Sequence, residues 1–577
     1  MKIATILDTF SYEVFSPEAE LVQLTPQDWE KELTTLSPDM LFVESAWRGK
    51  DDTWSGQIRH PSGKLKKIIQ YCNKYNIPTV FWNKEDPYHT YDFLETAQLF
   101  DFVFTTDIEC IPIYKQYLQH NHIYLLPFAC QPKIHNPIEK YQRKDAFVFA
   151  GSYYAYFPER NKYFKEAVRT ISNISTLDIY DRNYGNTNNS SLIYPPEYHP
   201  LIKGKLDYHE IDKAYLGYKY ALNLNSMTTS PTMFSRRVFE LMASNTLVIN
   251  NYTVGIKILL GDLCISTDNM QELKNTMVKL QHDSLSEKKI RLAALRKVMM
   301  EHTAKVRLNM VFNKVLSSYI PMKSPTILCI TYIQTDQDLC KIQNTFLKQT
   351  YPNKKLLLFL ESTVNKQLIY THESIGYTDN FIQQCISEAD YITGLCIYDY
   401  YGKNYLTDLL LALQYADVSI ITKSTGYMYT KQTGLTYNKS YIPYTITDHA
   451  DIRSSIVPIK MIKTLSLSAL AKNIEDYSFS DIKACRIDAF NYCQNITENS
   501  LTEAEKSELD DLIIDTGITL TDHWINKQLS IYIHQKKHTI SYSTKQKIHE
   551  KLSHQFRTVL KKIIPSSFIV NLKQRTF

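Results

Sequence analysis

Short apolar segments alternate with helical patterns over the first 126 residues. The segments fall near residues 2–7, 39–44, 78–82, 101–105 and 122–126, and the helical patterns near 62–76, 90–98 and 107–119. Short β-type runs joined by helices predict a parallel, doubly wound sheet. The proline-rich stretch 126–137 that follows predicts a crossing between two domains.

The same alternation restarts at residue 146. Strands are predicted near 146–150, 176–180, 219–224 and 246–250, and helices near 158–172, 234–243, 269–281, 284–302 and 304–319. Two such halves facing each other form a cleft at the carboxyl ends of their strands, where ligands of this fold class bind. A third α/β pattern begins after Pro325. The predicted domains are 1–130, 131–322, 323–470 and a mostly helical region, 471–577, with a basic tail.

Composition narrows the class of protein. A chain of 577 residues is too long for one core. A net charge of +5 is too small to indicate nucleic-acid binding over the whole chain. The ten cysteines are scattered, so neither a zinc site nor a disulfide framework is predicted. The start reads as a first strand rather than a signal peptide, and no membrane span is predicted, so we expect a cytoplasmic location.

Residues 230–245 contain the strongest candidates for binding a ligand. Ser230 and the proline after it predict a helix start. An apolar stripe follows, and Asn245 predicts a left-handed end. A helix with Ser, Thr and Arg at its start suits a nucleotide diphosphate, and Glu240 one to two turns later suits a ribose diol. The alternative is a surface helix on which Arg236 and Glu240 form an ordinary ion pair four residues apart.

The first 320 residues resemble a bacterial family, the CgeB/YkvP-type spore-protein glycosyltransferases. The resemblance rests on residues 41–49 (LFVESAWRG), 80–89 (VFWNKEDPYH), 149–154 (FAGSYY), 158–160 (PER) and 230–243 (SPTMFSRRVFELMA). It departs at Asn245, where the family usually has glycine. The resemblance implies the GT-B fold, with two Rossmann-like halves, and a nucleotide-sugar bound by the second half.

The third α/β pattern resembles the GT-A transferases that use an Asp-x-Asp metal motif. Residues 344–354 (NTFLKQTYPNK) and 400–408 (YYGKNYLTD) match typical stretches of that family. The expected acidic run reads CIYD at 396–399, so only Asp399 is left. A divalent cation on a diphosphate needs several oxygen ligands. We therefore expect a GT-A-like domain without activity, while an active domain with a relocated metal site is the alternative.

The donor side is predicted from the second half. The Gly151–Ser152 turn ends its first strand, and arginines nearby offset the charge of a diphosphate without a metal. We expect no cofactor beyond the nucleotide-sugar. The predicted donor residues are Gly151, Ser152, Arg160, Ser235, Arg236, Arg237 and Glu240. A plain strand-to-loop turn with surface arginines is the alternative.

The acceptor side is predicted from the first half. The loop 83–89 follows a strand and so faces the cleft. An inverting transferase needs a general base, and Asp86, Glu85 and His89 are the catalytic candidates. Glu44 is a second acidic group, and Arg48 is positioned to steer an anionic acceptor. The alternatives are a polar loop that caps a helix, or a retaining enzyme that needs no separate base.

These observations predict a glycosyltransferase that transfers a sugar from a UDP-linked donor to a cell-surface polymer, glycan or protein. The competing functions are a non-catalytic carbohydrate-binding scaffold and a transferase of polyol phosphates for wall polymers. No nucleic-acid partner is expected. The basic tail with interleaved apolar residues predicts either peripheral contact with anionic lipid or self-association, and a solvated helix is the alternative.

Overall fold

The computed structural model describes residues 1–186, 189–316, 324–462, 465–496 and 501–520. Met1–Gly517 form one compact unit, and every feature below belongs to it. The predicted basic tail lies outside the described residues. No helix in the described part of the chain is long and apolar enough to cross a membrane.

The first half is a 6-stranded sheet in the order β2-β1-β3-β4-β5-β6, with every pair parallel. β3 and β4 are buried along their whole length, because helices cover both faces of the sheet. The order reverses between β1 and β3, the place where doubly wound sheets bind ligands. Strands and helices are β1 Lys2–Ile6, α1 Thr9–Phe15, β2 Glu20–Gln23, α2 Trp29–Leu36, β3 Met40–Glu44, α3 Gly63–Lys74, β4 Thr79–Asn83, α4 Leu94–Ala97, β5 Phe102–Thr105, α5 Ile111–Tyr117 and β6 Ile123–Leu125.

The second half is a 6-stranded parallel sheet in the order β12-β11-β10-β7-β8-β9. Here the order reverses between β7 and β10. The elements are β7 Lys144–Gly151, α6 Pro158–Ser172, β8 Leu177–Asp181, β9 Ile202–Gly204, α7 Asp212–Tyr215, β10 Tyr218–Asn223, α8 Arg237–Ala243, β11 Leu247–Asn250, α9 Val254–Leu260, β12 Ile265–Ser266, α10 Met270–His282 and α11 Ser284–Glu301. The two Rossmann-like halves predicted from the sequence are confirmed.

The chain crosses between the halves twice, side by side. The N–H of Cys130 donates to the carbonyl of His302 (3.0 Å), and the N–H of Ala304 donates to the carbonyl of Cys130 (2.8 Å). Helix α12, Ala304–Leu316, then packs on the sheet of the first half, although its sequence lies in the predicted second domain. The buried guanidinium of Arg307 donates to the carbonyl of Pro127 (2.9 Å) and fixes this junction.

The third region is an 8-stranded mixed sheet in the order β15-β14-β13-β16-β23-β18-β25-β21. Strands β15, β14, β13 and β16 pair in parallel, and the sequence predicted two of them, near 326–332 and 355–360. The elements are β13 Ile327–Ile333, α13 Asp336–Lys348, β14 Lys354–Leu360, β15 Ile375–Gly376, α14 Asp379–Glu388, β16 Tyr391–Gly394, β17 Tyr400–Tyr401, α15 Tyr405–Ala412, β18 Ile420–Thr422, β19 Tyr427–Thr430, β20 Gly434–Tyr437, β21 Thr445–Thr447, β22 Ala450–Asp451, β23 Ser455–Pro458, α16 Leu467–Lys472, β24 Ser478–Phe479, β25 Ala484–Arg486, β26 Tyr492–Cys493 and α17 Glu503–Leu509.

The predicted boundary at residue 470 needs correction. β25 pairs in parallel with β18 inside the third sheet, so this sheet continues past that boundary. The described part of 471–520 contains short strands and the single short helix α17, not mostly helix. These strands are too short to give an alternating pattern, so the sequence did not reveal them.

Buried charges join the third region to the second half. Arg296 on α11 makes a two-pronged pair with Asp408 on α15, with Nε at 2.8 Å from Oδ1. Lys423, which is fully buried, lies 3.3 Å from Asp408 and 2.6 Å from Asp488. Breaking a buried pair of this kind is strongly destabilising, so the two regions are firmly held together.

Candidate functional site

A cavity of about 510 Å³ opens at the carboxyl ends of β7 and β8 in the second half. Phe10, at the start of α1, closes it from the first half, so the cavity lies in the cleft between the two sheets. Its lining consists of Phe10, His135, Ala150, Gly151, Tyr180, Arg182, Lys205, Leu206, Asp207, Tyr208, Ile211, Tyr215, Arg236, Arg237 and Glu240. We call this cavity the donor pocket, after the donor residues predicted from the sequence, four of which line it.

The donor pocket is positively charged. Its cationic residues are Arg182, Lys205, Arg236 and Arg237, against the acidic Asp207 and Glu240. Desolvation lowers the pKa of the Arg182 guanidinium, and the charges of Arg237 and Arg236 lower it further. Cations that repel one another in a concave site are stabilised by a bound anion, so the pocket suits a phosphate or diphosphate.

Glu240 lies at the bottom of the donor pocket and is only 3% exposed. The hydroxyl of Tyr215 donates to its Oε2 at 2.8 Å. Its Oε1 lies 3.1 Å from Nη1 of Arg236, yet neither atom makes a hydrogen bond of acceptable geometry. Buried polar atoms are nearly always hydrogen-bonded, so Oε1, which is held only by the charge of Arg236, has capacity to accept a hydrogen bond from a ligand hydroxyl.

Nearby charges keep Glu240 ionised. Burial alone would raise the pKa of this carboxyl, but the charges of Arg236 and His135 outweigh burial and the pKa is lowered. His135 is itself buried, with Nε2 at 3.9 Å from Oε1 of Glu240. A carboxylate therefore faces the pocket, as binding of a diol requires.

Phe10 links the charges of the two halves. Its ring centre lies 4.1 Å from Nζ of Lys84 in the first half and 4.1 Å from Cζ of Arg236 in the second. Lys84 is buried and pairs with Asp8 (2.6 Å) and Glu44 (2.9 Å). Burial would lower the pKa of Lys84, but these two carboxylates raise it overall. Cations from both halves therefore contact the same ring, which helps to hold the cleft together at this point.

The predicted donor residues divide into two groups. Gly151, Arg236, Arg237 and Glu240 line the donor pocket, whereas Ser152, Arg160 and Ser235 do not. Arg160 instead donates to the carbonyl of Ser152 (3.0 Å) and so supports the turn behind the pocket wall. The N–H of Ser235 donates to the side chain of Asn225 (2.9 Å).

The helix predicted near 234–243 begins later than expected, since α8 starts at Arg237, and the prediction that Ser230 caps it is wrong. Asn245, just after the helix, has the predicted left-handed backbone (φ 53). Ser230 instead closes a turn by accepting from the N–H of Met233 (2.9 Å). Thr232 in this turn donates to the carbonyl of Thr106 in the first half (3.0 Å). Contacts across the cleft therefore replace the local cap.

Asp86 has a different setting from the one its sequence predicted. It is fully buried and accepts hydrogen bonds from Thr105 (2.5 Å), Thr90 (2.7 Å) and the amide of Asn83 (2.8 Å). Burial raises the pKa of this carboxyl to about 7. With both oxygens already used and no exposed surface, Asp86 organises the loop below the cleft and cannot reach an acceptor in this structure.

The other two catalytic candidates lie at the surface of the same loop. Glu85 and His89 are half-buried, and the His89 ring pairs with Asp92 through Nδ1 at 2.6 Å. Burial would raise the pKa of Asp92, but its hydrogen bond with His89 and its contact with Arg59 lower it overall. The loop borders the cleft, since the hydroxyl of Tyr88 donates to the carbonyl of Ser226 in the second half (2.9 Å).

The acceptor-side candidates Glu44 and Arg48 are separated. Glu44 is completely buried and is bound to Lys84 and to the N–H of Asp8 (2.6 Å), so its role is internal. The side chain of Arg48 is 72% exposed and pairs loosely with Asp52 (3.6 Å). Glu44 therefore does not line the cleft, and the side chain of Arg48 is exposed to solvent.

Sequence reasoning missed several pocket residues. Arg182, Lys205 and Tyr208 carry no motif and follow strands β8 and β9 of the second half. Lys84 does not line the pocket, but it contacts Phe10, which does. Lys84 had a usable signal, because it directly follows a strand that ends at the cleft. The position of Phe10 against Arg236 depends on how the two halves meet, which no local pattern reports.

Asp399, the remaining acid of the GT-A-like motif, is buried in the third region. Arg453 binds it in two-pronged fashion (2.9 and 2.8 Å), Tyr492 donates to it at 2.9 Å, and the N–H of Asn495 donates at 3.0 Å. Burial, the largest influence, raises the pKa of this carboxyl overall despite the charge of Arg453. Among the described residues, no cluster of three His, Cys, Asp or Glu side chains could hold a metal ion.

Part of the chain matches a known protein family, and most of the matching residues belong to the second half. Residues 165–313 match the model of a family described as "Glycosyl transferase-like". This segment is glycosyltransferase-like. It contains Arg182, Lys205, Arg236, Arg237 and Glu240 of the donor pocket, and it continues through α10 and α11.

Solved structures give distant similarities. A mutant of TarM from S. aureus, crystallised with UDP, is 14% identical with a TM-score of 0.34 over 49% of this chain and 57% of TarM. A glycosyltransferase from Rickettsia africae is 11% identical, with a TM-score of 0.36 over 55% of this chain and 90% of that chain. A DNA-modifying β-glucosyltransferase is 15% identical, with a TM-score of 0.36 over 55% and 100% of the two chains. No curated protein matches. These structural similarities are too distant to assign a function to the chain.

Proposed function

We propose that this protein is a glycosyltransferase that uses a nucleotide-sugar, UDP-linked, as donor. One observation carries the proposal: the buried carboxylate of Glu240, which pairs with Arg236 but leaves Oε1 without a hydrogen bond, faces a cationic pocket at the carboxyl edge of a Rossmann-like sheet. A nucleotide diphosphate combines a diol with a dianionic group, and this pocket offers a separate partner for each. The family match over the same residues supports the reading.

Each part of the donor has a proposed partner. Glu240 accepts hydrogen bonds from the ribose hydroxyls, while Arg182, Lys205 and Arg237 surround the diphosphate. As the sugar leaves, charge grows on the diphosphate, and fixed cations stabilise that charge more than they stabilise the ground state. We propose that these side chains take the place of a metal ion in the reaction.

His89 is the best-placed general base among the sequence candidates. Its contact with Asp92 orients the ring, leaves Nε2 to accept a proton and stabilises the imidazolium that forms. Glu85 on the same loop is the alternative. In either case the base deprotonates an acceptor hydroxyl that attacks the sugar, and the bond to the nucleotide diphosphate breaks.

Calorimetry with UDP, with and without EDTA, tests the donor site. We expect binding that chelation leaves unchanged, and a requirement for added metal would contradict the metal-free proposal. Turnover should then be followed as nucleotide release from a panel of nucleotide-sugars and nucleotide-activated polyols. Release only from the polyol donors would favour the wall-polymer alternative. Absence of release together with saccharide binding would favour the scaffold alternative.

The base is tested with His89→Gln and Glu85→Gln. Loss of a general base lowers the rate by about two to four orders of magnitude, so we expect this fall in His89→Gln with UDP affinity unchanged. Glu95→Gln, an exposed carboxylate on α4, is the matched control. A large fall in Glu85→Gln alone would move the role to Glu85, and equal rates in all three would remove the loop from the chemistry.

We further propose that the chain belongs to the CgeB/YkvP type, and that its third region is a GT-A-like domain that does not transfer sugar. The saturation of Asp399 by Arg453 and Tyr492 supports the second point, because no oxygen is left for a cation. A glycan, polymer or protein of the cell envelope is the proposed acceptor. Turnover that survives Asp399→Asn in folded protein would agree with this assignment.

A further inference from the structure

A second cavity, of about 560 Å³, lies between the second half and the third region. The second half contributes the connector 139–143, Asn245 and the first turns of α11. The third region contributes the β19–β20 hairpin, the loop 439–444 and the segment 488–490. The volume is within the usual range for a site that binds a small ligand or a short stretch of polymer.

The walls from the third region are rich in aromatic rings. Tyr427 and Tyr437 meet at 60°, and Tyr437 and Tyr441 meet at 68°, while Phe490 continues the wall. A flat nucleobase is best held between parallel rings. Rings set at steep angles instead form a faceted apolar wall with hydroxyl groups, which suits the puckered rings and many hydroxyls of a saccharide.

The lining of the cavity contains more cationic than acidic residues. The cations are Arg143, Lys219, Lys288, Arg291 and Lys439, and the carboxylates are Glu139, Asp488 and Glu508. Arg143 at the wall is already paired with Glu139 (2.8 Å). Lys288 and Lys439, by contrast, form no ion pair with any described residue, and Nζ of Lys288 lies 5.6 Å from the ring centre of Tyr437. Two unpaired ammonium groups at an aromatic wall favour a ligand that carries negative charge.

A buried amide points to the same conclusion. Asn245 is 6% exposed, lines the cavity, and its Oδ1 has no hydrogen-bond partner. An unsatisfied buried acceptor costs free energy that a hydroxyl or N–H group of a ligand can recover.

We propose that this cavity binds a segment of acidic glycan. The sugar rings pack on Tyr437 and its neighbours, a carboxylate or phosphate of the glycan pairs with Lys288 and Lys439, and a hydroxyl satisfies Asn245. The site is separate from the donor pocket, because no residue lines both cavities. Glu240 on α8 lines the donor pocket, and Asn245, just beyond the end of α8, lines this cavity about 7.5 Å further along the helix axis. The inference does not depend on transferase activity.

The test is direct binding to the full chain. Calorimetry should use an oligogalacturonate, an oligomer of glycerol phosphate, a neutral malto-oligosaccharide of equal length, and UMP. We expect both acidic oligomers to bind, more weakly at high salt, and the neutral one to bind at least about tenfold more weakly. The acidic arms distinguish carboxylate from phosphate as the preferred charge.

Variants locate the site. Lys288→Gln with Lys439→Gln should weaken acidic binding by about tenfold or more, while Lys431→Gln, an exposed lysine of the same hairpin outside the cavity, should not. Asn245→Ala should weaken all saccharides, and thermal melts verify that each variant is folded. The proposal is overturned if no acidic oligomer binds, if neutral and acidic oligomers bind equally, if the cavity variants bind like wild type, or if the variants lose UMP instead.

Discussion

Two buried arginine–carboxylate pairs have opposite surroundings. In the second half, Glu240 faces Arg236 at 3.1 Å, but its Oε1 has no hydrogen bond and opens on a cavity. In the third region, Asp399 is gripped twice by Arg453, and Tyr492 donates a further hydrogen bond. One pair is incomplete without a ligand, and the other is complete without one.

The difference separates a binding role from a structural one better than residue type does. The sequence predicted that Glu240 binds a ligand and that Asp399 is the remnant of a metal motif, and both carboxylates are buried. Only the count of satisfied oxygens distinguishes them, because an unsatisfied buried acceptor costs free energy that a ligand can recover. Each prediction below tests that distinction.

The largest effect is expected for Asp399→Ala. This change leaves the buried Arg453 without its partner, which should cost about 3–5 kcal/mol in the free energy of unfolding. UDP affinity of the remaining folded protein should be unchanged. Denaturant unfolding and calorimetry measure the two quantities. A loss of UDP affinity with normal stability would reverse the comparison.

Asp86 extends the comparison, because both of its oxygens accept hydrogen bonds but no cation of the described residues pairs with it. Its contribution to stability should therefore depend on pH. Its folded-state pKa, about 7, lies above the ordinary value, because burial favours the protonated form. Between about pH 4 and 7, the carboxyl of Asp86 is therefore protonated in the folded state but ionised in the unfolded state. Stability from this group is therefore present at low pH and is lost as pH rises through 7.

Unfolding of wild type and Asp86→Asn should be compared from pH 4 to 8. The stability of wild type relative to the variant should fall with rising pH, by at most about 1.4 kcal/mol per unit, and level off above pH 7. A flat difference would show that Asp86 is ionised throughout, in conflict with its burial.

A smaller effect is expected for Glu240→Gln. The change keeps the shape but removes the charge that accepts the diol, so UDP affinity should fall by about 1.5–3 kcal/mol. Glu287→Gln is the matched control, since Glu287 is a buried helical carboxylate paired with Arg291 four residues on and lies outside the donor pocket. Equal UDP affinity in both variants would remove Glu240 from the site.

The smallest effect is expected for Phe10→Leu. Loss of a ring between Lys84 and Arg236 removes cation–π contacts worth about 0.5–2 kcal/mol, and we expect weaker UDP binding near the low end of that range. The matched control is Tyr75→Leu, an exposed ring beneath Lys74 away from the cleft. An effect in the control of equal size would mean that Phe10 has no special role.

Much of the fold followed from local pattern. Helix α6 was predicted at its observed ends, and β7, β8 and β10 within two residues, because long amphipathic and apolar runs report burial directly. Helix α1 and strand β2 were missed, since β2 is short and only half-buried and so lacks a clear alternation.

The site was only partly predictable, for a physical reason. Arg236, Arg237 and Glu240 share one short segment, so one motif revealed them together. The burial of Asp86 depends on Tyr114 and Thr105, which approach it from other elements, and a lone sequence gives no measure of that. The types of residue indicated which ligand the site could bind. Whether each polar atom already has a hydrogen-bond partner is decided only in the folded molecule.

The paired crossing at Cys130 has a mechanical consequence. The two passages of the chain between the halves are hydrogen-bonded to each other, and Arg307 binds a carbonyl of each, so the covalent connections between the halves meet at one place. A change in the angle between the halves would have to pivot there. It would break the contacts on the far side of the cleft, among them Phe10 with Arg236 and Thr232 with Thr106.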